Sequence, residues 1–175
     1  TTPRGGIKKA NSVNALRSSL RGFFGYCRDA GLVRENPTRL VRRAICGKPV
    51  PRLLSDDEQR RLLAAVDHSR DRMLFRLLLG TGIRIGSALL LEVCDVDLAR
   101  AELVLRHCKG DREERVFMPR AVAAELAGWT EGRTGLVFDI GHRHAHRRLR
   151  GWLAKAGITR PAGPHALRHS FATSL

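Results

Sequence analysis

Residues 73–79, Met-Leu-Phe-Arg-Leu-Leu-Leu, are apolar almost all round. A helix with so little polar surface has no face to offer water, so it predicts the buried centre of a core. Directly after it, Gly80-Thr81-Gly82-Ile83-Arg84-Ile85 sets a tight glycine turn and a single arginine between apolar residues. A guanidinium among such neighbours is costly unless an anion meets it. Asp95 and Asp97 are the internal alternatives, as partners in a structural ion pair.

Composition bounds the rest. A chain of 175 residues with 43% apolar content supports one ordinary domain, or one with a smaller companion. No apolar run reaches the roughly 20 residues that span a bilayer, and no amphipathic basic helix carries aromatic anchors. A soluble, cytoplasmic protein with no membrane partner is the expectation. Net charge is +15 and unevenly spread: residues 1–53 carry 12 Lys/Arg against 2 Asp/Glu, residues 54–175 carry 20 against 15. A polyanion, nucleic acid above all, is the natural partner of the first part. Cys27, Cys46, Cys94 and Cys108 have no paired spacing and read as reduced, partly buried thiols.

The periodicity predicts an α+β protein, mainly α, in three parts: a basic helical segment over 1–47, a linker over 48–54 and a larger domain over 55–175. In the first, Val13, Leu16, Leu20, Phe23, Phe24 and Cys27 recur at helical spacing and face inward, with Arg17, Arg21 and Arg28 off the stripe. Asn36-Pro37 opens a second, shorter helix through Ile45 that exposes Arg39, Arg42 and Arg43. The linker holds two prolines with Lys48 and Arg52. Ser55 to Glu58 form a capping box before the next helix. Strands over 102–106 and 115–118 flank a charged turn at Gly110, helices follow over 121–129 and 144–156, and 135–139 reads as a short third strand.

Near the C-terminal end, Pro164-His165-Ala166-Leu167-Arg168-His169-Ser170-Phe171 starts a helix on a proline that suits its first turn. His165 and Arg168 share one face and Leu167 and Phe171 another. An imidazole beside a guanidinium suits a phosphate: the arginine grips two oxygens and the histidine exchanges a proton near neutrality. Cys108-Lys109-Gly110-Asp111-Arg112 sets a lysine on a hairpin lip, with Arg112 and Arg115 as alternative contacts. His142, His144 and His146 invite a metal, yet on a helix only the first and last share a face and no carboxylate or thiolate completes a set, so no metal is assigned. His169 is assigned to packing or hydrogen bonding within the fold.

TGIR, a hairpin KG and HALRHSFAT, in this order, resemble the tyrosine recombinases, or phage integrase family. The resemblance implies a DNA breaking-rejoining fold with a small antiparallel sheet, preceded by part of a helical core-binding domain. It implies site-specific recombination of double-stranded DNA through a 3′-phosphotyrosine intermediate, without cofactor or metal, by protomers assembled on paired sites. Residues matching Arg84 and Arg168 clamp the scissile phosphate, the one matching Lys109 is the general acid, and the one matching His165 assists proton transfer. Arg17, Arg21, Arg39, Arg42, Arg43, Lys48 and Arg52 are the expected DNA-backbone contacts. Two departures stand out: Ser87 occupies the position of a common acidic residue, and Leu175 comes before the family's Gly-His and nucleophilic tyrosine. The only tyrosine, Tyr26, fits helix packing. The sequence therefore predicts a chain that binds DNA but lacks the nucleophile; a non-catalytic DNA-binding module and a basic RNA-associated protein are the alternatives.

Overall fold

Chain contacts divide the protein into two compact units, Thr1–Val50 and Pro51–Leu175. The structure, a computed structural model, describes residues 9–47, 53–106 and 113–173.

In the first unit, helix α1 (Ala10–Asp29) closes at Gly31, where a φ of 72° lets the Leu32 N–H reach back to the Cys27 carbonyl. The predicted second helix is absent: 37–40 is a series of turns and 41–47 has no regular structure. Side chains take the place of a helical ladder. Asn36 Oδ1 accepts from the Thr38 N–H and hydroxyl, Asn14 both donates to the Ala44 carbonyl (2.9 Å) and accepts from its N–H (2.8 Å), and Arg17 Nε donates to the Val41 carbonyl at 2.6 Å. The Asn36 bonds are local, the mechanism by which Asn competes with helix, whereas those of Asn14 and Arg17 reach across from α1. The α1 stripe is present, but Val13, Leu16, Leu20 and Phe23 are exposed, and Asn14 and Cys27 are its buried residues. The inward burial predicted for these four is therefore not found.

The second unit is mainly helical, with a three-stranded antiparallel sheet. Its elements are α2 (Asp56–Ala65), α3 (Ser69–Thr81), α4 (Ile85–Leu89), a 3-10 turn (Val93–Asp95), β1 (Val96–Asp97), β2 (Glu102–Leu105), β3 (Glu114–Phe117), α5 (Arg120–Thr130), α6 (His142–Lys155) and α7 (Pro164–Thr173). Helix α3 is the centre that its apolar run predicts. Phe75, Leu77 and Leu78 are almost fully buried, and α2, α4, α5, α6 and α7 all pack on α3. Gly80 permits part of this: a Cβ there would sit 2.7 Å from Val122 of α5. The capping box of Ser55 and Glu58 forms in both directions.

Strand order is β1-β2-β3, with Leu103 and Leu105 of β2 turned into the core. The predicted strand over 135–139 reduces to a single bridge between Leu136 and Glu92. Val137 and Phe138 are consecutive and both buried, which a pleated strand with one wet face cannot arrange. The Val137 carbonyl accepts the Trp129 indole N–H at 2.9 Å instead of a strand neighbour. Cys46 and Cys94 are exposed, not partly buried; Cys27 is buried, and Cys108 lies outside the described residues. No described helix is long and apolar enough to cross a membrane.

Two ionic knots tie helices together. Asp71 of α3, 1% exposed, accepts from Arg148 Nε at 2.6 Å and from the Trp152 indole at 2.8 Å, binding α6 to the core. Burial pushes its carboxyl up, but the Trp152 and Arg148 hydrogen bonds outweigh this and hold it below the usual range. Arg160 bonds both Glu58 and the Leu53 carbonyl, and its bond to Glu58 is the main reason that carboxyl falls to about 2. The Leu54 N–H donates to the buried Ser170 hydroxyl at 2.7 Å, fixing the start of this unit on α7.

Asp71→Asn, which removes the charge that Arg148 faces, is expected to lower stability by about 3 kcal/mol, read as a lower midpoint in urea. Carboxylates held low in the fold stabilise it above their unfolded values and lose that contribution as pH falls through the folded ones. The contribution of these carboxylates should thus be level down to about pH 5 and decline between about pH 4 and pH 2. Asp71→Asn should flatten part of that decline; an unchanged acid limb would contradict the role given to Asp71.

Candidate functional site

The turn after α3 is where the sequence sets Arg84 between apolar residues. Gly82 caps α3 in the left-handed region (φ 62°, ψ 14°), its N–H bonded to the Leu78 carbonyl at 3.0 Å. The chain then runs extended through Arg84 (φ −69°, ψ 141°). Extended backbone alternates its side chains. Ile83 and Ile85 accordingly enter the core, while Arg84 is exposed. Its carbonyl accepts the Ala88 N–H and starts α4. Among the described residues its guanidinium has no hydrogen bond or ion pair. The internal carboxylates that were its alternatives are engaged elsewhere: Asp95 with Arg106 and Asp97 with Arg100.

Helix α7 supplies the second arginine. Ala166, Leu167 and Ser170 are buried and hold the helix on α3. Arg168 is half-buried and donates from Nη1 to the Gly82 carbonyl at 2.7 Å, so it is anchored on the turn that presents Arg84. Phe171, one turn further, lies against the bare face of Gly82; a Cβ there would be 2.3 Å from its ring. Two conditions thus reserve position 82 for glycine: positive φ and direct contact with an aromatic ring.

Two clefts, of about 310 and 430 Å³, are both lined by Ile83, Arg84, Ser87 and Arg168. The first continues toward the sheet at Leu105, Glu114 and Val116. The second continues toward His165, one turn before Arg168 on α7, and toward His142 and His146 of α6. Arg84, Arg168 and His165 therefore meet at one place, from three positions distant or offset in sequence. Lys109 and Arg112 lie outside the described residues. Arg115, the other alternative for the lysine's place, pairs with Glu102 at 3.4 Å. His169 is exposed on α7.

Cations crowded at one cleft raise each other's energy, and only an anion relieves them. Glu114 is the one carboxylate among the described lining residues, and it belongs to the first cleft alone. Two guanidinium forks directed at a tetrahedral oxyanion are the arrangement that holds a phosphate and the charge it gains during transfer. Ser87 of α4, the departure noted in the sequence, lines both clefts with a small hydroxyl. The sequence reading gives His142 and His146 no part in this site. Their signal was the i, i+4 spacing at the start of a basic helix, and its meaning depends on where α6 packs.

Among the arginines expected on DNA, Arg21, Arg39, Arg42 and Arg43 are exposed on the first unit, Arg39 loosely paired with Glu35 at 3.8 Å. Arg17 is half-buried, its Nε committed to the Val41 carbonyl. Lys48 and Arg52 lie outside the described residues. No group of three or more metal-ligating side chains gathers among the described residues, the three histidines of α6 included.

Gly82→Ala should cost about 3 kcal/mol or more, combining left-handed strain with the clash against Phe171. Arg84→Ala should leave stability within about 0.5 kcal/mol, because that side chain supports nothing in the fold. Thermal unfolding of the two variants checks both. A strongly destabilised Arg84→Ala would mean the arginine is structural.

The sequence profile of the phage integrase family matches residues 52–175. The tyrosine recombinase XerC of Vibrio vulnificus (strain YJ016) is 30% identical over 184 residues, covering 95% of this chain and 58% of its own length. The chain thus spans about three-fifths of that relative. The crystal structure of XerA recombinase superposes with a TM-score of 0.63 at 28% identity, over 84% of this chain and 56% of that one. A λ integrase dimer bound to a COC′ core site shares the fold, with a TM-score of 0.77 at 19% identity over 94% of this chain and 66% of that one. With the profile covering the whole unit that carries Arg84, His165 and Arg168, the chain belongs to the phage integrase family, the tyrosine recombinases.

Proposed function

We propose that this chain carries the phosphate-holding part of a site-specific DNA recombinase or integrase, acting on double-stranded DNA in the cytoplasm. The observation that carries the reading is the convergence of Arg84 and Arg168, from separate segments, on one cleft in which Arg168 is braced by the Gly82 carbonyl. The two guanidiniums hold the non-bridging oxygens of a backbone phosphate and stabilise the charge of its five-coordinate state. His165 moves a proton at the phosphate edge. Lys109, by resemblance, protonates the leaving 5′ oxygen. In this mechanism a tyrosine attacks the phosphorus, the phosphorus–O5′ bond breaks, and a 3′-phosphotyrosine link preserves the bond energy until another strand attacks. No described residue is assigned as that tyrosine: Tyr26 is an exposed residue of α1.

The λ integrase dimer on its core site supports duplex DNA as substrate and a second protomer as partner. The exposed arginines of the first unit supply further backbone contacts. Ser87, in the place of an acidic side chain, favours a second reading: a module that occupies DNA sites without cutting them.

The chain should bind duplex DNA with log K falling linearly in log salt concentration. Arg84→Ala and Arg168→Ala should each weaken binding and make that slope shallower by about one. With a suicide duplex, the 175-residue polypeptide should form no covalent adduct on denaturing gels. An adduct would show that Tyr26, or another nucleophile, serves the site. Binding that is indifferent to salt would refute the reading itself.

A further inference from the structure

The second cleft has more basic groups than one phosphate needs. His142 and His146, one turn apart on α6, stand with ring centroids 4.6 Å apart and planes tilted by 40°. Both line the cleft beside Arg84, His165 and Arg168. His142 is exposed and His146 half-buried. We propose that His142 and His146 form a second phosphate site, which holds the DNA-backbone phosphate next to the one taken by Arg84 and Arg168. The assignment rests on reading the cleft as a DNA site.

A metal would be the other ligand for two imidazoles at i, i+4, but its surroundings argue against it. Facing the pair are Arg84 from the turn before α4, His165 and Arg168 from α7, and Arg150 from α6 itself. These are cationic or become so, and no described carboxylate or thiolate lines this cleft. On the opposite side of α6, the carboxylates of Asp67 and Asp71 are held by Lys155 and Arg148. A cation entering here meets repulsion; a phosphate meets donors.

The same surroundings make the site sensitive to pH. Burial, then His142, His165 and Arg150, hold the His146 imidazole below its usual range. An arriving phosphate reverses the balance and favours the protonated rings, each then donating to its oxygens. Binding therefore takes up protons, and affinity rises as pH falls.

Fluorescence anisotropy of a labelled random-sequence duplex, at constant ionic strength between pH 8 and pH 6, tests this on the full chain. Kd should fall roughly three- to tenfold over that range. The double variant His142→Gln/His146→Gln should lose most of that dependence, and His165→Gln should keep it. An equal pH dependence in the double variant would overturn the proposal, as would its loss in His165→Gln alone. Proton NMR of the wild-type histidines gives a second readout that needs no variant: with duplex present, His142 and His146 should titrate at higher pH than without it. Unmoved titrations would overturn the proposal while leaving the DNA reading intact. Failure of the wild type to bind duplex at any pH would remove both.

Discussion

A single hydrogen bond joins the two halves of the candidate site: the Arg168 guanidinium donating to the Gly82 carbonyl. It works because Gly82 has no side chain. The residue turns α3 through a left-handed conformation, receives the Phe171 ring on its bare face and offers its carbonyl to α7. Arg84, two residues on, is then aimed by alternation alone, with Ile83 and Ile85 sunk on either side. The position of one arginine is fixed by apolar burial and that of the other by a carbonyl, so neither needs an acidic partner. Both keep donors for a ligand. A salt bridge would have fixed them at the expense of the function proposed.

Elsewhere the unit uses carboxylates for what the site avoids. Asp71 fastens α6 to α3 through Arg148 and Trp152, and Glu58 with Arg160 fastens the lead into α7 to the start of α2. These knots lie away from the cleft and hold the two helices that border it. Excess positive charge is thereby separated by role. Paired arginines brace helices, and unpaired ones face the space where a polyanion is proposed to lie.

Much of this was legible in the sequence because single residues carried it. The apolar run of α3, the Ser55 and Glu58 capping box, Pro164 at the first turn of α7 and the three-residue spacing of His165 and Arg168 each have a local physical meaning that packing did not overrule. The resemblance in motif order then joined segments that no local rule connects. What failed were assignments whose backbone bonds are settled at long range. The helix expected after Asn36 is displaced by the amide of Asn14 and the guanidinium of Arg17, both a helix away in sequence. The strand expected over 135–139 gives its Val137 carbonyl to Trp129. The role of His142 and His146 was hidden for the same reason: periodicity shows that two histidines share a face, and only packing shows what that face meets.

A crystal structure of the chain bound to duplex DNA examines the central claim most directly. One backbone phosphate should lie with its non-bridging oxygens at about 2.7–2.9 Å from guanidinium nitrogens of both Arg84 and Arg168. Arginines contacting separate phosphates, or a duplex seated away from the cleft, would contradict the account.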